Sequence, residues 1–313
     1  MKAAEKLLKL TKEDIRILMG VEQGMRKFKM VPANHVAFFA RYKKEETQYH
    51  LDKVHKMGLL QRDKEFVKGD NASYKLIAEG YDILALHALY QKNVISSIGP
   101  PLGKGKESDV YRCLTPDENE VALKFFRIGR TSFRNVKKFR SYVKDKGHIN
   151  WLYINRLSAT QEYEALKKIH KLKLNVNVPV PYAHNRHTIV MNIIQGDEIY
   201  KFPFLNNPED HFNEIIKQYK EIYAKANIVH GDLGEFNVLV DPDDNILIID
   251  WPQWAEWTHV SADQLLKRDI HNICSFFEKK HKVISNPHKI IHEFLAIKNK
   301  SINTESIQNK SKN

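Results

Sequence analysis

An α+β protein is what the sequence predicts, with a mainly helical block first and a sheet-centred block after it. Three observations predict it. Over residues 1–90 the apolar side chains recur mostly at the three- and four-residue spacing of amphipathic helices. After Asn93 they gather into short β-branched runs separated by turn residues. The chain has 313 residues, 42% of them hydrophobic and 28% charged, which is enough for one large domain or two ordinary ones.

Thr11 with Asp14 three residues on forms a capping box that opens a helix to about Val21. Pro32 suits the first turn of a second helix, from about Asn34 to Ala40. A third covers about Lys44 to Met57, with Leu51, Val54 and Met57 at helical spacing and Gly58 as its left-handed stop. Leu59–Val67 and Ser73–Ile77 read as two strands around the turn Gly69-Asp70-Asn71, and a fourth helix spans about Ala78 to Tyr90. Three helices, a two-stranded ribbon and a helix is the order of a winged helix, assigned to residues 1–92. Its third helix carries Lys43, Lys44, Gln48, Tyr49, Lys53 and Lys56, which suits a helix inserted in a nucleic-acid groove. Contact with a protein, or lysines merely solvated, fits the same residues.

Val94–Ile98, Val110–Leu114 and Val121–Phe126 follow as strands of an antiparallel sheet. After a helix at Leu157–Leu172, Val178–Pro181 and Thr188–Ile194 return to it, and further helices are expected at about 208–227 and 261–281. Residues 127–150 hold eight Lys and Arg against the single acid Asp145. Such like charge predicts a mobile loop that closes on an anionic partner, with Thr131, Ser132 and Ser141 as candidate self-phosphorylation sites. An inert surface loop is the alternative. The last dozen residues are polar and predict disorder, so 286–313 is assigned to the end of a C-terminal helix and a tail.

The formal net charge of +12 favours an anionic partner, although a solvated Lys-rich surface has the same composition. Two distant cysteines, Cys113 and Cys274, exclude a disulfide scaffold and a cysteine-based zinc site and fit a reducing compartment. No apolar stretch approaches the roughly 20 residues needed to span a bilayer. The N-terminus lacks a signal peptide's long apolar region, so a membrane or secreted protein is not expected. There is no internal repeat.

Three pieces carry chemistry. Between two strands lies Gly103-Lys104-Gly105-Lys106-Glu107-Ser108-Asp109-Val110, where paired glycines let backbone amides approach phosphates closely. No helix follows and the GKS/T ending is missing, so this is not a Walker loop. On the next strand, Val121-Ala122-Leu123-Lys124 ends in a lysine that is costly unless paired. Glu162 and Glu164 are the available acids on the following helix; Glu162 shares a face with Leu166 and is preferred. The most specific piece is His230-Gly231-Asp232-Leu233-Gly234-Glu235-Phe236-Asn237, set between a helix and a strand, followed by Ile246–Ile249 delivering Asp250. Asn237 and Asp250 supply hard oxygens suited to magnesium held mainly by a nucleotide's phosphates. Asp232 is left to orient or deprotonate a phosphoryl acceptor.

Together these residues resemble the RIO family of atypical serine/threonine protein kinases, most closely its second subfamily, over roughly residues 1–285. The resemblance rests on the winged-helix block, Gly103–Tyr111, Val121–Arg134, His230–Val240 and Ile249-Asp250-Trp251-Pro252-Gln253. It implies a compact two-lobed kinase-like domain over residues 93–285. ATP would be held by Gly103, Lys104, Gly105, Lys106, Glu107, Ser108 and Val110, with Lys124 on the phosphates and paired to Glu162. Met191 would be the gatekeeper, with Asn192 and Ile194 offering backbone hydrogen bonds to adenine. Asp232 would be catalytic, and Asn237 and Asp250 would bind Mg2+ or Mn2+. Trp251 stands where the family commonly has Phe.

Only 63 residues follow Asp250, with no Ala-Pro-Glu segment and no room for a large peptide-binding lobe. ATP hydrolysis or self-phosphorylation is therefore favoured over broad protein phosphorylation. The resemblance further implies a role in maturing the small ribosomal subunit, with precursor ribosomal RNA and proteins as partners. It also implies a cytoplasmic location, with nuclear passage in a eukaryote. An aminoglycoside- or choline-type small-molecule kinase shares the His-Gly-Asp loop and the Ile-Asp-Trp strand, but not the winged helix, the Pro252-Gln253 pair or the basic charge. A nucleic-acid-binding regulator with a dead kinase domain is disfavoured by the joint presence of Lys124, Asp232, Asn237 and Asp250.

Overall fold

The computed structural model describes residues 2–63, 72–128 and 151–310, with side chains as far as Ser301. The expected turn at 69–71 and the basic segment 129–150, with Thr131, Ser132 and Ser141, lie outside the described residues. The chain divides into two compact units, one of residues 1–157 with 183–190 and the other of residues 158–182 with 191–313.

In the first unit α1 (Lys2–Leu7), α2 (Lys12–Gly24), α3 (Ala33–Ala40), α4 (Lys44–Lys56) and α5 (Ala78–Gln91) surround a small sheet. Its strands are β1 (Val31–Pro32), β2 (Leu60–Arg62) and β3 (Ser73–Leu76), in the order β1-β3-β2. The expected capping box at Thr11 is present in both halves: the Thr11 hydroxyl accepts from the Asp14 N–H at 3.3 Å, and Asp14 Oδ2 accepts from the Thr11 N–H at 2.9 Å. The same buried carboxylate meets His50 Nδ1 at 2.7 Å and pairs with Lys53, which pins α4 onto α2. Pro32 does not begin a helix turn. It pairs with Ser73 in β1 and leads into α3 from outside.

Two of the residues expected at a nucleic-acid face turn inward instead. Lys53 is spent on Asp14, and the Gln48 amide donates to Asp52 and to the Tyr74 hydroxyl, both at 3.0 Å. Lys43, Lys44, Tyr49 and Lys56 remain exposed on α4.

A second sheet orders β4 (Ser97–Lys104), β5 (Ser108–Leu114), β6 (Glu120–Phe126), β8 (Thr188–Asn192) and β7 (Pro181–Asn185) in the sequence β4-β5-β6-β8-β7. Strand β4 begins later than expected and runs on through Pro100 and Pro101. An edge position tolerates the missing N–H groups, and the register slips between Ile98 and Gly103. Buried residues of the N-terminal helices (Ile17, Leu18, Leu51, Ile83, Leu84) form one apolar cluster with Val121, Leu123, Phe125 and Val190 of this sheet. That shared core is why the first 92 residues and the sheet belong to one unit.

Helix α6 (Trp151–Lys171) leads into the second unit, which contains α7 (Pro208–Ala226), α8 (Ala262–Phe276) and α9 (Pro287–Lys310). Two small antiparallel sheets complete it. Strands β9 (Asp197–Glu198), β11 (Val238–Val240) and β12 (Ile246–Ile248) make one; β10 (Ile228–Val229) and β13 (Ala255–Glu256) make the other. Tyr219, Tyr223, Trp251, Phe277 and Phe294 are its largest buried side chains. The C-terminus departs from the expected tail. Ile290, Ile291, Phe294 and Ile297 recur at helical spacing and bury a face against the core, and the helix propagates to Lys310. No helix among the described residues is long and apolar enough to cross a membrane.

Candidate active site

The first unit holds the glycine turn and Lys124. Antiparallel register places Gly103 opposite Val110, and Val110 opposite Lys124, so the three form one cross-strand row. Side chains in such a row share a face of the sheet. The lysine therefore lies on the face that carries the turn, next to Val110. Its stem is buried, and Nζ stands 4.8 Å from the Phe126 ring centroid, a desolvated cation over an aromatic face. The turn is closed by the Gly105 N–H donating to the Ser108 carbonyl at 2.8 Å and the Arg127 N–H donating to the Glu107 carbonyl at 2.6 Å. A Cβ added at Gly103 would meet nothing within 4 Å, and at Gly105 nothing closer than 3.5 Å. Local packing does not demand glycine at either position; bare, exposed backbone is what glycine leaves there, as close approach by a phosphate needs.

The second unit holds the acids. Pairing of Val238 with Ile248 places Asn237 and Asp250 at the same end of the β11–β12 hairpin, and the Ile249 N–H donates to the Asn237 carbonyl at 3.0 Å. The Asn237 amide nitrogen donates to the Asp232 carbonyl at 2.8 Å, which leaves the amide oxygen as the acceptor end of that side chain. Asp250 has φ +68°, a left-handed conformation uncommon outside glycine and frequent at functional sites.

His230 joins the two acidic segments. Its ring accepts the Asp232 N–H at Nδ1 (3.3 Å) and, as the Nε2–H tautomer this requires, donates to the Ile249 carbonyl at 3.0 Å. Trp251 is fully buried against that imidazole, with ring centroids 4.4 Å apart, and its indole N–H donates to the Ile248 carbonyl. Trp251 thus fills the space behind His230.

The carboxylate of Asp232 is held from two sides. Gln253 Nε2 donates to Oδ2 at 3.0 Å, and Arg268 stands 3.6 Å from Oδ1. Position 231 takes glycine for two reasons: its φ is +81°, and a Cβ would lie 2.3 Å from the Gln253 carbonyl oxygen. Beneath the loop, buried Asp269 of α8 accepts from the Tyr219 hydroxyl (2.8 Å), the Gly231 N–H (2.8 Å) and the Leu233 N–H (3.0 Å). Burial pushes this carboxyl up to about 7, against the pull of those donors and of Arg268. Asp269 was not singled out from the sequence. The available signal was an acid on the apolar face of a helix, between Leu266 and Ile273.

The remaining expected residues fall as follows. Glu162 is buried on α6 beside Leu166, whereas Glu164 is exposed. Met191 is buried at the end of β8. The Asn192 N–H is taken by the Val180 carbonyl at 3.1 Å, so only its carbonyl fits an adenine contact. Among the described residues no hydrogen bond uses the Ile194 N–H. Lys104 and Lys106 are exposed, and Glu107, Ser108 and Val110 half-buried.

Residues 109–290 match the RIO domain, and residues 7–92 match the N-terminal domain of Rio2. The chain belongs to the RIO family of atypical serine/threonine kinases. Its Rio2 branch is shown by 38% identity to the RIO-type serine/threonine-protein kinase Rio2 of Methanocaldococcus jannaschii, over 85% of this chain and 96% of that one. Against the serine/threonine-protein kinase rio2 of Dictyostelium discoideum the identity is 35%, over 88% of this chain but 51% of the relative. Among solved structures, a Rio2 kinase–ADP/Mg2+–phosphoaspartate complex from Chaetomium thermophilum superposes with a TM-score of 0.75 at 30% identity, covering 90% of this chain and 84% of that one. Membership in the RIO family makes this an ATP-dependent phosphoryl-transfer enzyme.

Proposed function

We propose that the chain works chiefly by ATP hydrolysis or self-phosphorylation, and that it acts in the cytoplasm on precursors of the small ribosomal subunit. The hairpin end that presents Asn237 and Asp250, beside a loop whose Asp232 is fixed by Gln253 and Arg268, carries the chemical part. Asn237 and Asp250 are the ligands for Mg2+. One carboxylate and one amide oxygen suit an ion coordinated mainly by phosphate oxygens. When bound, Mg2+ neutralises charge on the phosphates.

The protein's own groups do the rest. Lys124 and the backbone of Gly103–Ser108 bind the phosphates, and Met191, the Asn192 carbonyl and the Ile194 N–H seat adenine. Asp232 orients the acceptor. Its carboxylate is held in direction by the hydrogen bond from Gln253, which suits it to aiming a water or hydroxyl. The Chaetomium relative was solved with ADP, Mg2+ and phosphoaspartate, which supports a phosphoryl acceptor within the enzyme.

Family membership and the net charge of +12 support the ribosomal part. Purified protein should turn over radiolabelled ATP with no added small molecule, and should sediment with precursor small subunits and leave them when ATP is added. Turnover that appears only with an aminoglycoside or choline acceptor contradicts the chemical half. Indifference of precursor particles to the protein at every salt concentration contradicts the other.

A further inference from the structure

Opposite the phosphate-facing row, the sheet buries a set of charges. Alternation places Asp109 and Phe125, which pair across β5 and β6, on the other face from Val110 and Lys124. Arg127 extends that face. Its Nε donates to Asp109 Oδ2 at 2.9 Å, and its Nη1 and Nη2 form a bidentate fork on Asp82 at 2.7 and 2.9 Å. Phe125 lies under the guanidinium, 5.0 Å away, and His187 Nε2 donates to Asp82 Oδ1 at 2.8 Å. All four polar residues are buried. Asp82 belongs to α5, whereas Asp109 and Arg127 flank the glycine turn.

Arg127 grips that turn twice. Its side chain holds Asp109, one residue past Ser108, and its backbone N–H holds the Glu107 carbonyl. Three residues before it stands Lys124. Just after it, the Ile128 N–H donates to buried Asn155 Oδ1 at 2.6 Å, so the chain is fixed on both sides of the arginine's grip. Simple stability does not explain this arrangement well. Replacing a buried ion cluster by apolar side chains of similar volume is often neutral or stabilising, so such clusters are better understood as specifying geometry. A guanidinium is suited to that task because its planar fork fixes direction as well as distance, which a lysine's point charge does not.

We propose that Arg127 is a positioning residue for nucleotide binding: it locks the Gly103–Ser108 turn and the Lys124 strand to helix α5, so that the affinity for ATP depends on Asp82 in the N-terminal block. The proposal rests on the assignment of that turn as the phosphate cradle. Anything that shifts α5 is thereby felt at the turn through one side chain, with no contact to the nucleotide.

The test is steady-state ATP turnover by the full chain, well below each variant's melting midpoint. Asp82→Asn keeps the shape and removes the bidentate anchor; Arg127→Lys keeps the charge and removes the fork. Each should raise the KM for ATP by about tenfold or more while kcat changes little, since a misplaced binding group costs uniform binding. Asp14→Asn is the control. It removes an equally buried, ion-paired carboxylate of the N-terminal block that has no link to the turn, and it should leave KM unchanged. If one variant fails to fold, the other still decides. The proposal is overturned if both melt lower yet keep the wild-type KM, or if Asp14→Asn raises KM as much. Lys124→Ala in the same assay separates the two levels. Its retained turnover would remove the cradle assignment itself, whereas its loss beside a normal Asp82→Asn would remove only the role of Arg127.

Discussion

Gln253 donates a 3.0 Å hydrogen bond to the carboxylate of Asp232, so the segment that follows one acid of the site orients another. In the sequence Pro252-Gln253 is only part of a resemblance; in the fold Gln253 fixes the direction of the Asp232 carboxylate. Gln253→Ala should lower kcat by about 10- to 100-fold, the usual cost of losing a group that orients a reacting residue, with a smaller effect on the KM for ATP. A larger effect on KM than on kcat would show that Gln253 serves nucleotide binding instead.

Trp251→Phe should cost about 1–3 kcal/mol. It opens part of a buried ring's volume behind His230 and removes the indole donor to the Ile248 carbonyl. Turnover should survive, because no oxygen of the site changes. Thermal melting and ATPase rates measured together check both halves.

The two units should respond oppositely to pH. Burial favours a raised Asp82, but His187 and Arg127 outweigh it and hold the carboxyl below its usual range; Asp14 is likewise lowered, by Lys53, Thr11 and His50 against burial. Stability from a depressed acid is present above its unfolded value, near 3.8, and is lost as pH falls through the lower folded value. Asp269 is raised to about 7, so its contribution is complete below the unfolded value and is lost as pH climbs towards 7. The slope in that window is up to about 1.4 kcal/mol per pH unit. Urea titrations at pH 5 and pH 7 should show this fall in the wild type and a shallower one in Asp269→Asn. An equal slope in both would remove Asp269 as its source.

On α4, the exposed Lys43, Lys44 and Lys56 should bear any anionic ligand, and Lys53 should not. Charge reversal of the three should flatten log affinity against log salt for ribosomal RNA, by roughly 0.7–0.9 for each phosphate that is no longer neutralised. Lys53→Glu should instead lower the melting midpoint, since it sets a second carboxylate against buried Asp14. An unchanged salt slope in the triple variant would remove α4 from the interface.

The order His230–Asn237, strand, Asp250 was legible because apolar β-branched runs bracket each polar residue and fix where it emerges. Thr11 and Asp14 were legible because a cap is decided within one turn. Arg127 was not. Its sequence neighbours are the many cations that follow it in the chain, yet it is buried by Asp82, 45 residues earlier, and by Asp109. The same holds for Lys53, claimed by Asp14 from 39 residues away, and for Asp269, whose three donors come from another helix and the His230–Asn237 loop. Whether an ionic side chain faces water or a partner is set by long-range packing, which local pattern does not encode. Only the reach of helix α9 was misread: the last dozen residues are polar and predict a tail, yet the helix that begins at Pro287 propagates to Lys310.

The most direct measurement is turnover of radiolabelled ATP by purified wild type beside Asp250→Ala, with melting curves to show that the fold is kept. Loss of turnover by on the order of 10²–10³ or more, in a variant that still unfolds in one cooperative transition even if alanine at φ +68° lowers its midpoint, is the expected result for a residue that holds the metal at the phosphates. Turnover retained by Asp250→Ala at the wild-type rate would contradict the assignment of the site.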